Sequence, residues 1–187
     1  VDKSLYGQLA SGVPGSVAGM EEAHQKYGKL KWEDLIEPSR RLAADGFKIT
    51  AMQANELNGN KPLFKRLNPL GTALVKDTKW TEGDILTQTE LSNTLKLIKE
   101  QGRKGFYEGA VADSIVAEMK RGGGIISKED LKAYKAIWRK PVTGKYRGYD
   151  VITMPPPSSG GIALIQLLKS VEPFPLNKWG FNSDSTV

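Results

Sequence analysis

The stretch Pro141-Val142-Thr143-Gly144-Lys145-Tyr146-Arg147-Gly148-Tyr149-Asp150-Val151-Ile152-Thr153-Met154, continued by Pro155-Pro156-Pro157-Ser158-Ser159-Gly160-Gly161, decides the fold class. Before it, apolar residues recur at helical steps; within it the period drops to two. Pro141–Tyr146 and Tyr149–Met154 read as two strands of a hairpin turning at Arg147-Gly148. The three prolines lack the N–H that a strand ladder needs, so they end the second strand. Beyond them Ile162, Ile165 and Leu168 share one face of a helix. A two-stranded hairpin is marginal alone. Helices can cover one of its faces, while the other face and the edges need a partner that the chain does not evidently contain. The expected class is mainly α with one β-hairpin.

Working outward, Ser127-Lys128-Glu129-Asp130 has the form of a capping signal for a short helix through Ala133. Upstream lie two strongly periodic helices. One carries Leu91, Leu95 and Ile98 on a face and stops at Gly102; the other carries Val111, Ile115 and Met119 and stops at Gly122-Gly123-Gly124. Residues 59–85 read as an irregular loop, but Leu63, Phe64, Leu67, Leu70, Leu74, Val75 and Trp80 predict that it is pinned to another surface. Thr50–Leu57 reads as a short helix ended by a turn at Asn58-Gly59-Asn60. Pro38 is expected to open a helix with Leu42 and Ala43 inward and Gly46 as its stop, after an apolar turn at Trp32, Leu35 and Ile36. Pro14 suits the first turn of a helix that puts Val17, Met20 and Ala23 or His24 inward and ends at Gly28. A loop is expected from Glu172 onward. Residues 1–140 are thus mostly helical and residues 141–170 form strand, strand, loop and helix.

The 187 residues are 39% hydrophobic, enough for a core, and no apolar run approaches the ~18 residues of a membrane span. Cysteine is absent, which excludes disulfides, a thiolate nucleophile and thiolate metal sites. A single histidine, His24, excludes a two-histidine metal motif. The 27 basic and 21 acidic residues leave a net charge of +6. Basic residues have acids nearby, as in Glu21-Glu22 before Lys26 and Glu37 before Arg40-Arg41, so the reading is a solvated surface and not a nucleic-acid interface. The ends, Val1-Asp2-Lys3-Ser4 and Asn182-Ser183-Asp184-Ser185-Thr186-Val187, read as cuts within a longer polypeptide.

Candidate chemistry is sparse. In Pro155–Gly161, prolines fix the backbone, two hydroxyls supply donors, and two glycines allow close approach before a helix N-terminus. Ile162 stands where a nucleotide-binding loop needs a lysine, so Ser158 or Ser159 is expected to serve as an N-cap. The pairs Glu21-Glu22, Glu33-Asp34 and Glu129-Asp130 fall at helix starts, where acids complement the dipole. Asp77 and Asp84 lack calcium-loop spacing. His24 reads as a surface histidine. Trp32, Trp80, Trp138 and Trp179 are too dispersed to make a platform. No nucleophile, base and orienting group can be assembled from the residues alone.

A likeness nevertheless runs through the chain. Ala10-Ser11-Gly12-Val13-Pro14-Gly15-Ser16-Val17-Ala18-Gly19, Ala23-His24-Gln25-Lys26-Tyr27-Gly28, Leu35-Ile36-Glu37-Pro38 with Arg41-Leu42-Ala43 and Gly46-Phe47, Gly105-Phe106-Tyr107-Glu108-Gly109, Gly123-Gly124 with Lys128-Glu129-Asp130-Leu131, Tyr146-Arg147-Gly148-Tyr149, and Met154-Pro155-Pro156-Pro157-Ser158-Ser159-Gly160-Gly161 occur in one order. Together they resemble the large subunit of γ-glutamyltranspeptidases.

The resemblance implies a four-layer αββα N-terminal-nucleophile hydrolase fold made with a small subunit. A precursor cuts itself, and the freed Thr attacks a γ-glutamyl amide such as glutathione with its own α-amino group as base. Water or an amino acid then accepts the γ-glutamyl group. The family pattern puts that Thr beyond Val187 and the substrate-binding Arg before Ser4. No catalytic residue carries over, no metal or cofactor is implied, and Ser158, Ser159, Gly160 and Gly161 are candidates only for shaping the cleft. The expected partners are the γ-glutamyl substrate, the rest of the large subunit and the small subunit, in a periplasmic or extracellular setting; the chain alone is expected to be inactive and capable of self-association. The rival readings are a self-standing helical interaction module and a β-lactam side-chain acylase of the same superfamily.

Overall fold

The computed structural model describes residues 2–186, in element order α1 (Asp2–Leu5), a 3-10 turn (Gln8–Ala10), α2 (Ser16–Tyr27), α3 (Trp32–Asp45), β1 (Phe47–Lys48), α4 (Ala51–Leu67), β2 (Ile85–Leu86), α5 (Thr89–Gln101), α6 (Lys104–Tyr107), α7 (Gly109–Gly122), α8 (Lys128–Ala133), β3 (Val142–Tyr146), β4 (Tyr149–Thr153), α9 (Gly160–Val171) and α10 (Leu176–Trp179). It divides after Ala136 into two compact units.

The first unit is helical and holds two cores. The larger gathers Val17, Ala18, Ile98, Tyr107, Ala112, Val116, Met119, Ile126 and Leu131. Tyr107 is its hub. Its hydroxyl donates to Pro14 O at 2.6 Å and accepts from Ala18 N–H at 3.3 Å, so the irregular entry to α2 is tied to α6. Its ring stacks on Tyr134 (centroids 5.9 Å apart), and the Arg103 guanidinium lies 4.7 Å from its centroid. Helices α3 and α5 are joined by Trp32 Nε1–H to Ile98 O at 2.9 Å. The smaller core, Ile49, Ala54, Trp80 and Leu86, lies around the two-residue antiparallel pair β1–β2.

Caps set three of the boundaries. Thr50 with Gln53, and Ser127 with Asp130, form reciprocal capping boxes for α4 and α8. Gly123 adopts φ 72° and closes α7, with Gly124 N–H reaching Met119 O at 2.7 Å.

Several expectations are corrected. Pro38 lies inside α3, which begins six residues earlier at Trp32. The indole bond to Ile98 and the acids Glu33 and Asp34 in the first turn favour the earlier start. Helix α4 runs through Asn58-Gly59-Asn60 and Pro62 to Leu67, because Asn58 is drawn into tertiary bonds instead of a turn. Its amide donates to Trp80 O and accepts from Trp80 N–H, both at 2.8 Å. The irregular segment is therefore shorter than expected, but it is pinned: Trp80 is buried and its Nε1–H meets Leu74 O at 3.0 Å. Helix α2 starts at Ser16, two residues after Pro14, and Met20 is 52% exposed, while Val17 and Ala18 are buried. In α7, Met119 is buried as expected and Ile115 packs half-buried against the core, while Ala112 and Val116 are the other buried residues and Val111 is half-buried. Leu42 faces outward beside buried Ala43. The chain end is not wholly a loop, since α10 forms there.

In the second unit, β3 and β4 pair antiparallel with Tyr146 opposite Tyr149 and Val142 opposite Thr153. Arg147 (φ 47°) and Gly148 (φ 86°) make the left-handed two-residue turn that suits strand twist. The outward residues Ile152 and Met154 are 72% and 66% exposed. Among the described residues of this unit, only Gly161 is buried.

Candidate functional site

The motif Pro155–Gly161 is the junction between β4 and α9. Pro155 O accepts Ser158 N–H at 3.2 Å, which turns the chain, and Ser159 O accepts Ala163 N–H at 3.0 Å, which opens the helix. The Pro156–Pro157 bond is cis. Ser159 occupies the cap position with helical backbone angles and makes no side-chain cap bond, so the expected hydroxyl N-cap is not formed by this residue. Both serine side chains are exposed.

The two glycines differ. A Cβ on Gly161 would collide with Met154 O and lie 2.8 Å from Thr153 Oγ1, so the helix start rests directly on the end of β4. A Cβ on Gly160 would have Ser158 Oγ as its nearest neighbour, at 3.7 Å. Further along, a Cβ on Gly144 would come within 3.2 Å of Ile165, which marks where α9 crosses the hairpin. Close backbone approach thus fixes the junction, with Gly161 and Gly144 as the residues that permit it.

The remaining candidates are consumed by structure. His24 is half-buried, not a simple surface residue; its Nε2–H donates to Leu30 O at 2.8 Å and its ring lies 5.3 Å from Trp32. The Ser127–Asp130 contact is closest in form to a nucleophile with its base. Yet Asp130 accepts both Ser127 N–H (2.9 Å) and Oγ–H (2.8 Å), and these bonds hold its carboxyl below the ordinary range. Glu37 lies amid Arg40, Lys99 and Arg41 at 2.8–3.0 Å, and their hydrogen bonds pull its carboxyl far below the ordinary value. Asp84 is lowered by Lys76 and by Thr81 N–H. A groove of about 620 Å³ beside Glu37, lined by Asp34, Pro38, Arg41, Leu42, Asp45 and Gly46, holds no hydroxyl or amine nucleophile. Among the described residues no cluster of three or more His, Asp or Glu could hold a metal ion. None of their helices is long and apolar enough to cross a membrane.

What these residues build is therefore a helical framework with a rigid strand-to-helix junction, and its architecture is that of the N-terminal-nucleophile acyl-transfer enzymes. The chain belongs to the γ-glutamyltranspeptidase family, whose model matches residues 1–187. It is 43% identical over 183 residues to the glutathione hydrolase proenzyme of Escherichia coli K12, covering 97% of this chain and 32% of that protein. The solved γ-glutamyltranspeptidase of Helicobacter pylori superposes with a TM-score of 0.94 at 45% identity, over 98% of this chain and 53% of that one. The cephalosporin acylase of Bacillus halodurans superposes with a TM-score of 0.82 at 27% identity, over 97% of this chain and 34% of that one. The chain spans about a third of the length of its curated E. coli relative.

Proposed function

We propose that residues 1–187 are one segment of the large subunit of a γ-glutamyl acyltransferase and hydrolase, and that the reacting groups come from sequence outside it. In this reading a Thr at the head of the small subunit attacks the γ-carbonyl carbon of a glutathione-like amide. Its hydroxyl proton passes to its α-amino group and then to the departing amine as the C–N bond breaks, leaving a γ-glutamyl ester. Water or an amino acid resolves the ester. The match of the family model along residues 1–187 carries the proposal. It is supported by the engagement of Asp130 in a cap and of Glu37 and Asp84 in ion pairs. The exposed face of β3–β4 then packs against the rest of the large subunit and the small subunit, and Ser158, Ser159, Gly160 and Gly161 shape one wall of the cleft. An exported setting, periplasmic or extracellular, goes with this family reading. The acylase alternative is less favoured, since identity falls from 45% for the H. pylori enzyme to 27% for the acylase.

The test is an assay with γ-glutamyl-p-nitroanilide. The isolated 187-residue chain is expected to give no release above buffer, and the longer polypeptide containing it is expected to turn over. Turnover by the isolated chain that survives repurification would overturn the proposal.

A further inference from the structure

Helix α4 runs on past the small core of the first unit, whose packed residues from this helix are Ala54 and Leu57. The bonds between Asn58 and the Trp80 backbone commit the chain to helix there, and Phe64 follows two turns after Leu57 on the same face. Between that face and the residues Ile49 and Leu86 lies a cavity of about 190 Å³. Its floor is apolar: Ile49 and Leu86 are 2% and 7% exposed, and Leu57 and Phe64 are half-buried. An apolar cavity of about 150 Å³ takes benzene, so this one has room for a phenyl ring with a short chain.

The rim is polar and comes from α4. Glu56 is the one charged residue that lines the cavity. It is exposed and forms no ion pair among the described residues. Asn60 lies one helical turn further on. Its Nδ2–H donates to Glu56 O at 3.0 Å, so its carbonyl oxygen is the group left to a ligand. Gln53 Oε1 is taken by Thr50 N–H at 2.9 Å. A carboxylate and an amide oxygen thus stand together over an apolar floor. Both are acceptors, and a primary ammonium brings three N–H donors and the opposite charge. A ligand carboxylate would be repelled by Glu56, and a neutral ligand would leave Glu56 without a counter-charge.

We propose that this cavity binds a small arylalkyl primary ammonium, with the ring on Ile49, Leu57, Phe64 and Leu86 and the ammonium on Glu56 and Asn60. Nothing in the acyl-transfer reading uses this cavity. The probe is phenethylamine titrated into the 187-residue chain. The amide NMR signals of Leu57, Phe64 and Leu86 should shift saturably, with a dissociation constant on the order of a millimolar for so small a ligand. Phenethyl alcohol, of the same shape without the charge, should bind about two- to fivefold more weakly, the range of an exposed ion pair. Hydrocinnamate, with a carboxylate, should bind more weakly still. The net charge of +6 would by itself favour the anion, so that order reports the local carboxylate.

Glu56→Gln should bring the amine to the level of the alcohol and leave the alcohol unchanged. Glu56→Lys should invert the order and place hydrocinnamate above phenethylamine; circular dichroism checks that both variants remain folded. In the longer polypeptide, the fluorine NMR line of para-fluorophenethylamine should be broadened less by the Glu56→Lys variant than by the unsubstituted protein. An absence of saturable shifts at Leu57, Phe64 and Leu86 would overturn the proposal, as would a ligand order that Glu56→Lys leaves unchanged. Equal broadening by the two longer proteins would also overturn it, since other polypeptide would then fill the cavity.

Discussion

The two units of this chain solve the burial problem differently. In the first, interior side chains close on one another: Leu131 is fully buried, Tyr107 is 1% exposed, and each has neighbours from several helices. Among the described residues of the second, the one that is buried is a glycine; Ile152, Met154 and Leu167 are exposed, and Val142, Val151 and Ile165 are half-buried. The first unit therefore contains the reasons for its own stability. The second has a well-formed junction whose stabilising surface is still uncovered, as a segment completed by other polypeptide should have.

Substitutions can sharpen that contrast. The largest effect belongs to the closed core. Tyr107→Ala removes a buried ring and both hydroxyl bonds, and should cost the first unit about 3–5 kcal/mol in urea unfolding followed by helical circular dichroism. Ile152→Ala, at a position 72% exposed, should leave that transition within about 0.5 kcal/mol. A loss as large at Ile152 would break the contrast.

At the junction, Gly161→Ala should destabilise the second unit by about 1–3 kcal/mol, because its Cβ has to displace the Met154 carbonyl. Gly160→Ala meets only the Ser158 hydroxyl at 3.7 Å and should be neutral or mildly stabilising. Amide exchange across Val151–Met154 and α9 reads both. Equal responses would remove the close-approach argument. Ser127→Ala breaks a capping box and should cost about 1 kcal/mol in the first unit.

The smallest effect concerns acid. The folded state lowers the Glu37 carboxyl through Arg40, Lys99 and Arg41, so its contribution is complete above the ordinary value of 4.5 and is lost as pH falls through the lowered one. Glu37→Gln should flatten the fall in stability below that pH. An unchanged acid limb would show that the cluster contributes nothing measurable, as many exposed ion pairs do.

Much of this was legible from the residues where the signal is local. The Ser127 box, the glycine stops of α5 and α7, and the hairpin turn at Arg147-Gly148 need only neighbours in sequence. Errors arose where a distant partner outweighed a local signal. Asn58-Gly59-Asn60 has turn composition, but bonds from Trp80 commit Asn58 to a helix. Thr50-Ala51-Met52-Gln53 is a local capping signal, and the start of that long helix lies where it points. Pro38 resembles a helix start, yet the indole of Trp32 finds its acceptor on α5. For the candidate site, Pro155–Gly161 was visible as a motif and its rigidity followed from composition. Which glycine is sterically required depended on where Met154 O lies, and no sequence pattern gives that.

The central claim is that the β3–β4 hairpin is finished by polypeptide outside these 187 residues. Hydrogen exchange at Val151–Met154 tests it most directly, in the isolated chain shown to be monomeric by sedimentation and in the longer polypeptide that contains it. The account predicts rapid exchange of these amides in the isolated monomer while Ile98 and Val116 stay protected, and slow exchange of all of them in the longer protein. Strong protection of Val151–Met154 in the isolated monomer would contradict it.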